Sequence, residues 1–396
     1  MNKFGMFIHW GIYALTGLHE QAIARYNISH EEYDKLIDKF NPTEFNPEDW
    51  VLLAKNAGMK YICFTAKHHD GFCMWDTKYT DYNVMNTPYG KDVLKMLSDA
   101  CKKHDMLLSI YYSNPDWHHE NGYNYHSTHQ WKSRTPELGD TKKYREYIKN
   151  QITELLTKYG KIYTLFWDIP PRYVDKSINE LARSLQPDIL INDRGWDSGD
   201  FSTPERTVPD GMRFERMTEA CQSVGEQAWG YRIDEDYYSI KYLLSSIDKI
   251  MAMGGSYLLN VGPMPNGKIP EKSVEMINKI GSWYKRMNGV LEDHTPLDVV
   301  LQIAKDVPHV ANTKNGKTYV HLYNGHYSSA LTITYGPCFA PKKAVLMNDG
   351  RELRVRNDLL PGWGGYNGEA PGPYISIADI PCDEFEGEPL VIEIEW

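Results

Sequence analysis

The stretch VLKMLSDACKKHDMLLSIYY, residues 93–112, contains the unit that decides the fold. Apolar side chains in its first part, residues 93–104, recur at the spacing of one helix face, so this part predicts an amphipathic helix. The run LLSIYY at residues 107–112 is short and rich in branched and aromatic side chains, and it predicts a buried strand. A helix that leads into such a strand is one step of a repeating β/α chain.

The same alternation continues on both sides of this unit. Strands joined by crossover helices lie parallel with right-handed connections, which is the pattern of a doubly wound sheet or a barrel. Because the units are so numerous, we predict an α/β fold that closes into a (β/α)8-type, TIM-like barrel. The other predicted strands are residues 5–10, 61–65, 162–168, 189–193 and 256–261, and the other helices are residues 48–57, 142–159, 177–185, 240–253 and 272–288.

The pattern changes near residue 295. Beyond it, short strands alternate with Gly, Pro and Asn turns, as in antiparallel β structure. We therefore predict two domains, a catalytic barrel at residues 1–295 and a small antiparallel β-sandwich domain at residues 296–396. The Gly/Pro-rich stretch 361–373 is the longest predicted loop, and the predicted strands are residues 318–323, 330–335, 343–346 and 390–396.

Composition and charge limit the possible partners. The net charge of −10 disfavours binding to the phosphate backbone of nucleic acid. No run reaches the roughly 18–20 apolar residues of a membrane span, and the start MNKFGMFIHWG enters a predicted strand at once. The expected location is therefore cytoplasmic, or secreted or periplasmic if the sequence has been trimmed. The 6 cysteines include no CxxC pair, which favours reduced thiols. No oligomeric state is predicted.

Polar and aromatic side chains follow the predicted barrel strands where each strand ends, which is where such barrels place their functional groups. Each group alone is also typical of a helix cap or a hydrogen-bonded pair. Their occurrence at successive strand ends favours a functional site. The candidates are His9 and Trp10, then His68, His69 and Asp70, then Tyr111 and Tyr112, then Trp167 and Asp168, and finally Asn192, Asp193 and Arg194, with Glu205 in the loop beyond.

Two carboxylates on separate barrel loops are the groups that glycoside cleavage requires. One must be ionised to attack or stabilise the anomeric carbon, and the other must donate a proton to the leaving oxygen. Asp168, after an apolar strand, and Glu205, in the loop GDFSTPER, are the natural candidates. The distance between the two carboxylates decides between retention and inversion, so both outcomes stay open at this point.

A metal-dependent hydrolase that uses His9, His68, His69 and Asp168 is the alternative enzyme. Adjacent residues of an extended segment point to opposite faces, so His68 and His69 would not easily share one ion. The sequence also lacks HxH and HExxH spacings. We therefore predict no metal and no cofactor.

Eight segments of the chain resemble the α-L-fucosidases of glycoside hydrolase family 29 in sequence and in order. HHDGF is specific within this series, and YLLNVGP followed by Asn-Gly supports it. The matching segments are FGMFIHWG (4–11), AKHHDGFCMWD (66–76), SIYYS (109–113), LFWD (165–168), INDRG (191–195), TPE (203–205), AWGYR (228–232) and GGSYLLNVGPMPNGKI (254–269).

The resemblance implies a retaining exo-glycosidase that removes terminal α-L-fucose from glycans or glycosides through a covalent fucosyl-enzyme intermediate. It implies that Asp168 is the nucleophile and Glu205 the acid/base, with Glu215 as a second candidate for the acid/base. By the same resemblance, the residues that hold the substrate are His9, Glu20, His68, His69, Trp75, Tyr112, Arg194 and Trp229.

The chain departs from the family pattern beside the predicted nucleophile. Phe166 stands where a Trp is common, and LFWDIPP replaces the more usual Asp-Gly continuation. This departure leaves two alternatives to α-L-fucose hydrolysis. One is an α-L-galactosidase or an enzyme for a related 6-deoxy sugar, and the other is a sugar-binding protein without activity. Loops set the linkage and the aglycone, so the sequence predicts neither.

Overall fold

The computed structural model describes residues 1–124, 127–172, 174–297, 302–303, 307–326, 328–335, 341–359 and 373–396. The predicted loop at residues 361–373 lies outside the described residues except for its last residue. No helix in the described part of the chain is long and apolar enough to cross a membrane.

Seven strands form one sheet with the order β5-β4-β3-β2-β1-β7-β6, and the pairs from β1 to β5 are parallel. Every residue of β1, β2, β6 and β7 is buried, as expected of strands covered on both faces. Strand β6, with the sequence EACQS, was not predicted, because it buries the polar side chains of Glu219 and Gln222 and has no apolar run. The strands are β1 (Phe4–Ile8), β2 (Tyr61–Lys67), β3 (Leu107–Ser113), β4 (Ile162–Asp168), β5 (Leu190–Ile191), β6 (Glu219–Ser223) and β7 (Ser256–Val261).

The segment 201–205 pairs with both edges of this sheet. Asn192, directly after β5, pairs with Phe201, and Glu205 pairs with Cys221 of β6, both in parallel orientation. The segment thus occupies the position of an eighth strand between β5 and β6. The predicted TIM-like barrel is confirmed, and its interior is filled by Phe7, Tyr61, Cys63, Tyr111, Phe166, Cys221 and Leu258.

Side-chain caps begin most of the helices. Asp92, Asp140 and Asp175 each accept a hydrogen bond from a backbone N–H of the first turn, and Ser239 does the same, which satisfies donors that have no partner within the helix. The helices are α1 (Ala22–Arg25), α2 (His30–Asp34), α3 (Pro47–Asn56), α4 (Val93–Lys103), α5 (Thr141–Lys158), α6 (Lys176–Leu185), α7 (Ile240–Ala252) and α8 (Glu271–Leu291).

The remaining strands form a second, antiparallel sheet with the order β8-β10-β11-β16-β13-β14-β15-β12-β9. Asn315 and Gly316 connect β10 to β11, and their φ angles of 52° and 77° are those of a tight hairpin turn. Strands from both halves of the sheet share one apolar core. The strands are β8 (Thr295–Pro296), β9 (Gln302–Ile303), β10 (Val310–Lys314), β11 (Lys317–Leu322), β12 (Ala330–Tyr335), β13 (Lys343–Leu346), β14 (Glu352–Leu359), β15 (Pro373–Ala378) and β16 (Leu390–Glu395).

The chain forms two compact units, and helix α7 belongs to the second. Within that unit, Asp248 of α7 accepts a hydrogen bond from His321 of β11 at 2.8 Å, and both side chains are fully buried. The predicted boundary between residues 295 and 296 refers to domains that fold independently. The division into compact units does not test independent folding, so this boundary stays a prediction. The first unit is Met1–Arg206, Arg216–Tyr238 and Leu258–Asn278, and the second is Thr207–Glu215, Ser239–Tyr257 and Lys279–Trp396.

Candidate active site

A cavity of about 370 Å³ opens at the carboxyl ends of the barrel strands. It contains both predicted catalytic carboxylates and most of the side chains predicted to bind substrate. A volume of this size suits a single sugar ring held among polar groups. The lining residues are Phe7, His9, His19, Glu20, Gln21, Arg25, His68, His69, Tyr111, His129, Phe166, Asp168, Ile169, Arg194, Glu205, Arg206, Cys221, Glu226, Gln227 and Trp229.

Asp168 is the last residue of β4, and hydrogen bonds hold both of its carboxylate oxygens. The Tyr111 hydroxyl donates to Oδ2 at 2.7 Å, and Arg194 Nη1 donates to Oδ1 at 3.1 Å. Burial alone would raise the pKa of Asp168, but the charge of Arg194, followed by His69 and the Tyr111 hydrogen bond, holds that pKa below its usual value. Asp168 is therefore a carboxylate at neutral pH.

Arg194 joins the two candidate catalytic carboxylates. Its Nη1 also donates to Glu205 Oε2 at 2.6 Å, and Thr203 holds the guanidinium through bonds of 2.8 and 2.7 Å to Nε and Nη2. Two oxygens that lie 3.1 and 2.6 Å from one nitrogen are less than about 6 Å apart. The side chain of Glu205 is 39% exposed, so it can exchange protons with solvent.

His9 follows β1, and Asn260 fixes its orientation. The Asn260 amide nitrogen donates to Ser223 Oγ and to the Trp229 carbonyl, so its oxygen accepts from His9 Nδ1 at 2.7 Å. Burial lowers the pKa of His9 to about 4. The ring is neutral at pH 7, and its Nε2 is a hydrogen-bond acceptor. The Trp229 ring stacks on the imidazole at 5.2 Å between centroids.

His69 is held in the same way from β3. Ser113 Oγ donates to the Pro115 carbonyl, so it accepts from His69 Nδ1 at 2.7 Å. Burial lowers the pKa of His69 to about 4, which leaves an unprotonated Nε2 at 3.8 Å from Asp168 Oδ2. Both atoms are hydrogen-bond acceptors, and a substrate hydroxyl beside them would find an acceptor for its proton.

His68 lies against the Tyr111 ring, and burial holds the pKa of His68 well below its usual value. Its Nδ1 is buried and has no hydrogen-bond partner among the described residues. Other atoms of the His68 side chain line the cavity. No group of three or more His, Cys, Asp or Glu side chains in the described ranges is arranged to bind a metal ion.

Glu20 is a buried residue of the cavity wall, next to the backbone of Trp229. Its Oε2 accepts from the backbone N–H groups of Trp229 and Gly230 at 2.9 and 3.0 Å, and its Oε1 lies 3.1 Å from His19 Nδ1. A side chain at position 230 would bring a Cβ within 2.9 Å of the Tyr13 ring, so the glycine permits the close approach. Glu20 thereby positions Trp229 as well as lining the cavity.

Trp75 and Tyr112 do not line the cavity. Trp75 donates to Glu154 Oε2 at 3.2 Å, and the Tyr112 hydroxyl donates to Gln151 Oε1 at 2.7 Å, both on the helix side of the sheet. The physical reason is strand alternation. Tyr111 pairs in register with Phe166, two residues before Asp168, so Tyr111 faces the cavity and its neighbour Tyr112 faces α5.

Several lining residues were not among the substrate-binding residues that the sequence predicted. Tyr111 was a strand-end candidate, but the resemblance pointed to Tyr112 instead. His19, His129 and Arg206 lie in loops, where no periodicity indicates which way a side chain points. The second acid/base candidate, Glu215, is 82% exposed and pairs with Arg213 in the other compact unit, whereas Glu205 lines the cavity.

Comparison with known proteins agrees with this site. A family model described as alpha-L-fucosidase matches residues 1–289. The chain is 25% identical over 380 residues to human plasma alpha-L-fucosidase, covering 84% of this chain and 79% of that protein. It is 26% identical to rat (Rattus norvegicus) tissue alpha-L-fucosidase, covering 91% of this chain and 83% of that one.

Solved structures agree over nearly the whole chain. Alpha-L-fucosidase isoenzyme 1 from Paenibacillus thiaminolyticus matches with a TM-score of 0.84 and 29% identity, covering 99% of this chain and 96% of that chain. An alpha-L-fucosidase of family GH29 from Bacteroides thetaiotaomicron, trapped as a covalent intermediate with 2-fluoro-fucosyl fluoride, matches with a TM-score of 0.80 and 26% identity, covering 100% of this chain and 94% of that chain. The family match includes every strand of the barrel. This chain therefore belongs to the α-L-fucosidase family of glycoside hydrolases.

Proposed function

We propose that this protein hydrolyses terminal α-L-fucosyl residues with retention of configuration, through a covalent fucosyl-enzyme intermediate. The observation that carries the proposal is the pair of carboxylates on Arg194. Because Asp168 and Glu205 bind the same nitrogen of Arg194, their nearest oxygens are less than about 6 Å apart, which supports the closely spaced carboxyl groups, about 5–5.5 Å apart, of a retaining glycosidase.

In the first half-reaction, the Asp168 carboxylate attacks the anomeric carbon of fucose. The bond between that carbon and the aglycone oxygen breaks, and Glu205 donates its proton to the departing oxygen. The lowered pKa of Asp168 supports this role, because the nucleophile must be ionised when substrate binds. Arg194 and Tyr111 hold the carboxylate in one orientation before the reaction begins.

In the second half-reaction, Glu205 acts as a base. It takes a proton from a water molecule, and the resulting hydroxide attacks the anomeric carbon and releases Asp168. Two displacements at the same carbon restore the α configuration. The partial exposure of Glu205 supports its role, since water must reach this carboxylate between the two steps.

The substrate sugar is proposed to lie among three neutral imidazoles and two aromatic faces. His9, His68 and His69 offer nitrogen atoms to the fucose hydroxyls, and Phe166 and Trp229 face its apolar parts. We assign a substrate contact to Tyr111 from its position in the cavity. Trp75 and Tyr112 are proposed to support the site from behind, through Glu154 and Gln151 of α5.

The stereochemistry of the first product tests this proposal. An aryl α-L-fucoside is mixed with the protein in an NMR tube, and the anomeric protons of released fucose are followed from the first minutes. We expect α-L-fucose to accumulate first and the β anomer to appear later by mutarotation. Early β-L-fucose would contradict retention. The absence of hydrolysis would contradict the proposed activity, and the protein would then share only the fold of the family.

A further inference from the structure

Trp131 presents an unusually open aromatic surface beside the cavity. Its side chain is 60% exposed, and its ring centroid lies 4.3 Å from that of His129, which lines the cavity wall. An exposed indole next to a binding cavity offers a flat apolar face with a polar N–H at its edge, on which a sugar ring can stack.

Hydrogen bonds fix the loop that carries this ring. Trp117 Nε1 donates to the His129 carbonyl at 2.7 Å, and the Arg134 N–H donates to the Trp117 carbonyl at 2.8 Å. The Lys132 carbonyl is bonded to His30 Nε2 at 2.8 Å. Because the backbone is held on both sides of Trp131, the ring is kept in place at the rim of the cavity.

The backbone at His129 has an uncommon conformation, and its ring lines the cavity. Its φ angle of 61° lies in the left-handed region, which residues other than glycine seldom adopt. The ring centroid lies 5.8 Å from that of His69, which itself approaches Asp168. The ring of His129 thus contacts His69, which lies beside Asp168, on one side and Trp131 on the other.

We propose that His129 and Trp131 form the binding position for the sugar that is released from fucose, the unit directly beyond the scissile bond. Trp131 stacks on the apolar face of that pyranose ring, and His129 contacts its hydroxyls near the glycosidic oxygen. The ligand of this binding position is a pyranose ring linked to fucose. This inference rests on the proposed function, because it assumes that fucose occupies the cavity.

Substrates with and without an aglycone ring distinguish a loss of aglycone binding from a loss of catalysis. α-L-Fucosyl fluoride has no aglycone ring, whereas a panel of α-L-fucosyl disaccharides that differ in linkage provides one. For the best disaccharide, we expect Trp131→Ala to lower kcat/KM about 5- to 30-fold, the loss typical of one stacking face, and to change fucosyl fluoride hydrolysis by less than about 2-fold. Trp131→Phe should recover most of the loss.

Tyr79→Ala is the matched control, because Tyr79 is a 43% exposed aromatic residue that belongs neither to the cavity lining nor to the loop of His129. It should leave both substrates unaffected. The inhibition constant of free fucose should be the same for wild type and Trp131→Ala. Equal losses on both substrates, or no loss on any disaccharide, would overturn the subsite. A wild-type protein that cleaves neither substrate would overturn the proposed function itself.

Discussion

The hydroxyl of Tyr111 donates a hydrogen bond of 2.7 Å to Asp168 Oδ2 from the neighbouring strand of the barrel. Tyr111 and Asp168 lie on adjacent parallel strands whose register brings Tyr111 beside Phe166, so both side chains enter the cavity from the same face of the sheet. The bond stabilises the ionised carboxylate and restricts its rotation, which suits the nucleophilic role proposed for Asp168.

Removal of this hydroxyl should weaken catalysis and shift its pH dependence. We expect Tyr111→Phe to lower kcat/KM about 10- to 100-fold, because a hydrogen bond to a charged group contributes about 1.5–3 kcal/mol. Since the bond helps to lower the pKa of Asp168, the acid limb of the pH profile should move to higher pH. Tyr112→Phe is the control, since its hydroxyl bonds Gln151 outside the cavity. Equal effects of the two substitutions would contradict the assignment.

The two acid/base candidates can be separated by the leaving group. Glu205→Ala should reduce hydrolysis of natural fucosides far more than hydrolysis of an activated aryl fucoside, because an acid matters most when the leaving group is poor. Added azide should speed release of the intermediate and yield an α-fucosyl azide. Glu215→Ala should resemble wild type, as expected of an exposed side chain paired with Arg213. If Glu215→Ala shows this pattern and Glu205→Ala does not, the two roles are exchanged.

A buried carboxyl inside the barrel should make stability depend on pH. The Tyr61 hydroxyl donates to Glu219 Oε2, and burial raises the pKa of Glu219 to about 7. Between the pKa of the unfolded state and this value, the unfolded chain ionises first, so stability falls as pH rises. The Glu219→Gln variant has no ionisable group at this position, so it does not lose this stability. The difference in free energy of unfolding, variant minus wild type, should therefore increase by about 1–3 kcal/mol from about pH 5 to about pH 8.

Denaturant unfolding at both pH values measures this difference, and Glu215→Gln provides an exposed control. A difference between Glu219→Gln and wild type that is the same at both pH values would show that Glu219 is already ionised in the folded protein. Asp70 is also buried with a pKa raised to about 7 by burial, but it is present in both proteins and cancels in the comparison.

The apolar part of the cavity predicts the choice between L-fucose and L-galactose, which differ at C6. Phe7 and Phe166 lie 5.2 Å apart between ring centroids and both line the cavity. Burial of the fucose methyl contributes about 1 kcal/mol, and an unpaired galactose hydroxyl costs about 1–3 kcal/mol. The aryl α-L-fucoside should therefore exceed the aryl α-L-galactoside roughly 10- to 1000-fold in kcat/KM. Equal rates, or faster galactoside hydrolysis, would contradict this assignment.

Six strands of the barrel were predictable because burial on both faces makes each of them a largely apolar run. Strand β6 and the segment 201–205 were missed, since β6 reads EACQS and buries polar side chains. Asp168, His9, His68, His69 and Arg194 were predictable as well, since they stand at or directly beyond strand ends. The direction in which each side chain of β3 points was not predictable. Whether Tyr111 or Tyr112 faces the cavity depends on the register with β4, which the sequence of one strand does not contain.

Loop residues were missed for a different reason. His129 reaches the cavity through a left-handed backbone conformation and a carbonyl held by Trp117, which lies in the same loop. Glu20 was predicted only through the family resemblance, because its contacts are with the backbone of Trp229 and Gly230, more than two hundred positions away along the chain. Such placements arise from tertiary contacts, and no local periodicity indicates them.

The central claim is that Asp168 forms a covalent bond to the sugar, and trapping that intermediate tests it most directly. The protein is incubated with 2-fluoro-fucosyl fluoride, in which the fluorine slows release of the intermediate, then digested, and the modified peptide is sequenced by tandem mass spectrometry. We predict one 2-fluoro-fucosyl group per chain, attached to Asp168, with loss of activity in proportion to labelling. Attachment to Glu205 or another residue, or inactivation without a covalent adduct, would contradict the account.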